Sequence, residues 1–461
     1  MTSRALIVSL TLFWWQNAYP QSARSLLNFS HLEHLSEQID FLGHRVLIVH
    51  VYANYPDYAW TGAAESGPEG IACVDDAARA AVLYLRHFQL HHDSRSLERA
   101  RLLLSFVMRM QADDGEFYNF ILHDHTINTR GKTSFKSFGW WGVRGTWALC
   151  AGYRVFRGID PGFAALMKER VHRTFPHIRA VLSKYSHHKS RKGHRIPEWL
   201  FYGSGADVTS ELILGLSDYY VATHDTTVRS MIRRLADGII MMQDGDVRTH
   251  PYGLHRSWET MWHMWGNGQT QALAKAGRIL GDEKMLKSAE REARGFYPRL
   301  LIQGFLKEID VTSPAGTKEY DQIAYGVRPM VVGLIRLYEA KHKPEYLTMA
   351  GLAASWLFGN NVLGQQMYDS STGRCYDGIR DSVNVNRNSG AESTIEALST
   401  LMEVMRFPEA AKYLSSRKVR SVSSGDILSA RFRNDSGAEV TLQVNTKSGE
   451  LKTIESKHRQ H

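Results

Sequence analysis

The chain has 461 residues, 43% of them hydrophobic and 22% charged, enough apolar side chain to bury a substantial core in roughly one to three domains. Its three cysteines, Cys73, Cys150 and Cys375, are too few and too scattered for a disulfide framework or a CxxC metal site, so packing must hold the fold. The formal charge of +9 admits an anionic partner, but much of the excess sits in the run His187 to Arg195 and in the tail from Arg417 onward. Such runs read as solvated loops and tails, and no nucleic-acid partner is expected.

At the N-terminus Arg4 precedes an apolar stretch, Ala5 to Trp15, followed by small and polar residues reaching Ser22-Ala23. That is the layout of a secretory signal peptide over residues 1–23 and predicts a periplasmic or secreted protein. The alternative is a buried segment of a cytoplasmic one. No later segment has ~18 uninterrupted apolar residues, so no membrane span is expected.

A polar helix is predicted around His31 to Leu42, then a short β-branched run from Arg45 to Tyr52. From Asp75 the apolar residues fall three and four apart, as on a helix with a wide apolar stripe. A second helix, Ser96 to Met110, keeps that period and stops at Asp113-Asp114-Gly115. The same pairing recurs: Trp140 to Phe156 with Pro161 to Leu182, Asp207 to Thr223 with Thr226 to Met242, and Glu259 to Leu280 with Lys284 to Phe296. It continues with Tyr320 to Ala340 paired with Pro344 to Leu357, and Ala391 to Met405 with Pro408 to Ser415. Counted from Asp75 through Trp140, Asp207, Glu259, Tyr320 and Glu392, the intervals are 65, 67, 52, 61 and 72 residues, longer than tetratricopeptide, ankyrin or HEAT repeats.

Within each pair the connection is brief; between pairs it is long and rich in Gly, Trp, Tyr, His and acids. One face of the molecule is therefore plain and the other elaborated. Six hairpins closing into a ring, an (α/α)6 toroid over residues 24–416, would give the polar starts of the first helices a common centre; an open solenoid is the alternative. Residues 417–461 read as a small β appendage, with alternating apolar residues from Ser424 to Ile454 and a frayed end at 457–461.

The segments Gly70 to Ala80 (GIACVDDAARA), Gly359 to Gly364 (GNNVLG), Met367 to Asp369, Cys375 to Ile379 (CYDGI) and Asn384 to Glu392 (NVNRNSGAE) resemble the six-hairpin glycosidase-like superfamily, glycoside hydrolases and their relatives. The resemblance covers roughly residues 30–416. It implies the toroid, and a base from the early Asp-rich motif paired with a late glutamate acid across the ring. Fold does not fix chemistry, which must be argued from the site.

Glycoside hydrolysis needs two carboxyl groups flanking the bond. Asp76 is the candidate base, Asp75 reading as the helix cap, and Glu392 the candidate acid. Glu116 and Glu198 compete for the acid role, because aromatic neighbours would desolvate a carboxyl and raise its pKa. Asp207, Glu259, Asp321 and Asp377 also fall at helix starts or loops of the elaborated face. Trp140, Trp141, Trp199, Tyr202, Trp258, Trp262, Trp265, Tyr320, Tyr325, Tyr368 and Tyr376 offer flat faces for stacking on sugar rings, and Asn386 can bind hydroxyls. Arg144 and Arg328 either hold a substrate carboxylate or form structural ion pairs. No HExxH spacing and no phosphate-cradling glycine loop occurs, so neither metal nor cofactor is expected.

A two-carboxylate glycoside hydrolase, more readily inverting, is the leading expectation. The alternatives are a polysaccharide lyase or sugar isomerase on the same toroid, for which Arg144, His255, His263 and Tyr320 are available, and a carbohydrate-binding protein without activity.

Overall fold

The first helices of the six pairs are Val74–His91, Trp140–Phe156, Ala206–Thr223, Gln269–Leu280, Val327–Lys341 and Ala391–Val404. The second helices are Ser94–Arg109, Pro161–Leu182, Thr226–Met241, Glu283–Gly295, Pro344–Ala354 and the short Pro408–Ala411. The first helices pack against one another in chain order, and the sixth packs against the first. The ring closes, and the second helices stand outside it: the (α/α)6 toroid. The computed structural model describes residues 26–64 and 68–456, so the leader expected at 1–23 and the end expected at 457–461 lie outside the described residues. Among those described, no helix is long and apolar enough to cross a membrane.

Burial follows from position in the ring. The inner helix Ala206–Thr223 is buried without interruption from Ala206 to Tyr219, as a helix enclosed on all sides must be. Its outer partner Thr226–Met241 buries only one stripe, with Val228, Met231, Ile232, Leu235, Ala236 and Ile239 at helical spacing.

The tight turns at the rear have a repeated local cause. His92, His224 and Gly281 end their inner helices in the left-handed conformation. The next residue, Asp93, Asp225 or Asp282, then caps the outer helix by accepting backbone N–H groups of its first turn. A left-handed stop followed directly by an N-cap reverses the chain in two residues, and each cap contributes about 1 kcal/mol.

Three predicted helices differ from the observed elements. His31 to Leu42 divides into a helix, Ser30–Leu35, and a strand, Ser36–Phe41, which pairs with His44–Val49. Leu42 and Gly43, both at positive φ, form the two-residue turn between the strands. The helix expected from Glu259 begins at Gln269. The WETMWHMWG run before it forms a strand, Met261–His263, paired with Glu308–Asp310, and then a single 3-10 turn. The helix expected from Tyr320 begins at Val327, because Gln322–Ile323 pairs with Gly378–Ile379. In each case pairing with a distant segment outweighs local spacing.

These short pairings, with Ala72–Cys73 on Phe120–Ile121 and the hairpin His188–Arg191/His194–Pro197, brace the long front connections. A four-stranded antiparallel meander, Arg417–Ser424, Ile427–Arg433, Glu439–Asn445 and Leu451–Ser456, ends the chain. Its alternate residues Leu428, Ala430, Phe432, Val440, Leu442 and Val444 are buried, and the sheet rests on the helix Tyr297–Gln303.

Candidate active site

All six inner helices start at the front, so their N-terminal ends, the positive ends of their dipoles, surround one opening. In the second to sixth pairs a glycine precedes the first turn: Gly139, Gly205, Gly268, Gly326 and Gly390. None of these positions has a side-chain cap of its own, and the front loops supply partners. The Tyr202 hydroxyl accepts from Trp140 N at 3.1 Å, and Asp377 Oδ1 accepts from Gly390 N at 3.0 Å and from the Ser393 hydroxyl at 2.6 Å. At Gly139 a β-carbon would stand 1.8 Å from the Tyr202 hydroxyl, so glycine there makes room for the tyrosine.

One helical turn behind the opening, the inner helices contribute Arg79, Arg144, Glu211, Gln271, Arg328 and Glu396, one each. Arg144 holds Glu211 at 2.7 Å, Arg328 holds Gln271 at 2.9 Å and is paired with Glu396, and Arg79 stands 3.8 Å from Glu396. The result is a polar belt around the bore. It reaches forward as well, because Arg79 binds Asp76 at 2.8 Å and pairs with Glu392, while Arg144 lies 3.3 Å from Asp75. Burial opposes the charge on Glu211, yet the Arg144 guanidinium outweighs it and holds the carboxyl below its ordinary pKa. Burial dominates at Asp76, raising it to about 6 against the pull of Arg79, and it raises Asp75 against Arg144. Asp75 Oδ1 is buried with no hydrogen-bond partner among the described residues.

In front of the belt lies a pocket of about 460 Å³ walled by Trp140, Tyr202, Trp258, Trp265 and Tyr325, with Arg144, Asp207, Glu259 and Glu392 as its charged groups. Asp207 belongs to the third inner helix and Glu392 to the sixth, so they stand on opposite walls of a six-membered ring. Asp207 Oδ2 bonds the His263 imidazole at 3.0 Å, and the ring centroid of His263 lies 4.2 Å from that of Trp258 and 3.9 Å from that of Trp265. Burial raises Asp207 above its ordinary pKa although His263 opposes it, and burial likewise lowers His263 against the pull of Asp207. Glu259 has a positive φ of 42°, an uncommon backbone for a non-glycine residue and one that clusters at functional sites. It pairs with Arg191 from the hairpin beside the opening.

The pocket thus gathers Trp140, Arg144, Tyr202, Asp207, Trp258, Glu259, Trp265, Tyr325 and Glu392 of the residues singled out in sequence, with Asp75 and Asp76 directly behind them. The remaining candidates lie off it. Trp141, Trp199 and Trp262 are core residues: the first two donate to Phe117 O at 2.7 Å and Arg234 O at 2.8 Å, and Trp262, wholly buried, packs edge-on against Phe296. Glu116 stands 3.9 Å from Lys136 on the outer rim, and the Glu198 N–H bonds His187 O. Tyr320 lines a separate cavity near the C-terminal sheet, and Asp321 pairs with Lys307 at 3.2 Å. Tyr376 packs against the core, and Asn386 accepts from the Asn388 N–H in its own loop. Asp377 acts through the start of the helix that carries Glu392.

Arg79, Glu211, Gln271 and Glu396 were not among the sequence candidates. Their signal was periodic: a charged or amide side chain one turn after each front-layer position, in DDAAR, WWGVR, DVTSE, GQTQ, YGVR and AESTIE. Among the described residues no group of three or more His, Cys, Asp or Glu is placed to hold a metal ion.

No protein-family model matches the sequence, and no curated protein matches it. Solved structures do match in fold. A sugar epimerase from a ruminal bacterium superposes with a TM-score of 0.59 at 12% identity, covering 84% of this chain and 98% of that one. The cellobiose 2-epimerase of Bacillus thermoamylovorans gives the same figures. A D-mannose isomerase gives 0.53 at 11%, covering 78% and 91%. At such identities the likeness is one of architecture, the (α/α)6 toroid.

Proposed function

We propose that the protein is a carbohydrate-processing enzyme that takes a sugar unit into the front pocket and cleaves a glycosidic bond there by acid–base catalysis. The observation carrying this reading is the pocket itself: five aromatic side chains enclose a space with carboxyl groups, Asp207 and Glu392, on opposite walls. Aromatic faces suit the apolar faces of pyranose rings, and a carboxyl on each side of the bond is what glycoside hydrolysis requires. Asp207, whose proton affinity burial raises, is the acid that protonates the leaving oxygen. Glu392, oriented by Arg79 and by the Asp377 cap of its helix, is the base that activates water from the other side. The same reading includes export, on the strength of the sequence pattern of residues 1–23.

A second reading, sugar epimerisation or isomerisation, is supported by the Asp207–His263 pair, an imidazole oriented by a carboxylate, and by the names of the solved structures of like fold. One experiment separates the two. The purified protein is incubated in D2O with a glycan panel that includes free reducing sugars. Shorter products lost in Glu392→Gln and Asp207→Asn support hydrolysis, whereas deuterium entering beside the sugar carbonyl without chain shortening assigns the second reading. Binding with neither outcome, unchanged in both variants, overturns both.

A further inference from the structure

Behind the belt the bore opens again into a cavity of about 760 Å³ at the plain end of the toroid, a volume typical of small-molecule sites. Its electrostatics differ from those of the front. Besides the belt residues it is lined by six cationic side chains, Arg86, Arg154, Lys275, Arg278, Arg336 and Arg406, and by three carboxylates, Asp218, Glu339 and Glu403.

Every one of those carboxylates is already shared. Glu403 takes Arg86 at 2.7 Å, Arg336 at 2.8 Å and Arg406 at 2.5 Å. Glu339 takes Arg336 at 2.9 Å and Arg406 at 2.8 Å, and Arg278 reaches it only to 3.7 Å. Asp218 takes Arg154 and Lys275, each at 2.7 Å. Sharing satisfies geometry but leaves three positive charges without a counter-charge of their own. Solvent screens part of their mutual repulsion, since Arg278 is half-exposed and Arg154 partly so, and a bound anion would relieve the rest. Burial lowers the pKa of the Lys275 ammonium, and although Asp218 opposes this, Arg336 and Arg154 lower it further.

Arg154 stands on the second inner helix and Lys275 and Arg278 on the fourth, either side of the third, whose Asp218 reaches both Arg154 and Lys275; the ring holds all three backbones fixed. The guanidinium forks present several N–H donors each, the geometry that recognises phosphoryl oxygens. We infer that the rear cavity binds a compact multivalent anion of the pyrophosphate class, between Arg154, Lys275 and Arg278. The site stands apart from the front pocket and does not depend on what the front pocket does.

The test is calorimetric titration and thermal melting of the full chain with sodium pyrophosphate, against sodium chloride at matched ionic strength. One-site binding, a raised melting temperature and an affinity that falls as salt rises are expected. In Arg154→Gln/Arg278→Gln the affinity should drop about tenfold per charge removed. Absence of binding at millimolar pyrophosphate, or equal affinity in the double variant, overturns the proposal. Should that variant fail to fold, crystals of the unaltered protein soaked in tungstate decide: an anomalous peak beside Lys275 supports the site, and peaks on the outer surface alone refute it.

Discussion

Asp76 and Glu392 grip the same guanidinium, that of Arg79. The early and late carboxyls were expected to face each other across the ring. They are neighbours, because in a closed ring of six the first and last pairs adjoin. An inverting pair of carboxyls leaves room for water over a span of ~6.5–9.5 Å; here a guanidinium lies between the two. Glu392 finds its facing carboxyl three hairpins away, in Asp207.

This arrangement ranks the carboxyls by their effect on turnover. Glu392→Gln and Asp207→Asn should each lower kcat by about 10²–10⁴-fold. Asp76→Asn, which touches the pocket only through Arg79, should cost about tenfold to a hundredfold. Steady-state kinetics on the best glycan of the panel checks the order, and equal losses at all three positions would contradict it.

Arg79 is the group whose removal should harm the fold most. Arg79→Met leaves Asp76, Glu392 and Glu396 without their shared cation, and stranding buried charge costs about 3–5 kcal/mol. Denaturant unfolding of the variant measures that loss. Arg79→Lys keeps the charge but not the fork and should fall between the variant and the parent.

The tryptophans divide into two kinds. Trp140→Ala and Trp258→Ala, in the pocket wall, should raise KM with little change in melting temperature. Trp262→Ala and Trp199→Ala should do the reverse, costing about 3–5 kcal/mol of stability as buried aromatics. Parallel kinetics and melting curves distinguish the sets.

The acid role proposed for Asp207 has a pH signature. Its folded pKa is raised, so it keeps its proton to higher pH than a solvated aspartate, and activity should fall as pH rises through that raised value. Stability carries the same sign at Asp76. There the folded protein binds the proton more tightly than the unfolded chain, so its contribution is fully present below the ordinary carboxyl pKa and is lost as pH rises toward about 6. The rate profile and the stability profile each lose their respective limb in Asp207→Asn and Asp76→Asn.

The ring was legible because helical spacing repeats. Trp140–Phe156 and Pro161–Leu182 begin and end where their sequence says they do, set by the proline and by the Asp160 cap. What spacing could not show is pairing at a distance. The run around Trp258 has helix-like periodicity but is drawn into a strand by Glu308–Asp310, and that strand places Trp258, Glu259 and His263 at the pocket. Trp141 and Trp140 are adjacent in sequence and identical in type; a turn of about 100° per residue sends one to the core and the other to the opening.

Ring closure also sets a condition on synthesis. Arg79 and Glu392 are 313 residues apart, and the first inner helix has a neighbour on one side only until the sixth arrives. A nascent chain halted before residue 391 therefore presents the apolar flank of Val74–His91 to solvent and leaves Arg79 without two of its three acidic partners. Domains of this length expose such surfaces while incomplete, so the barrel shuts last at its oldest seam, and C-terminal truncation should yield aggregation in place of a smaller folded ring.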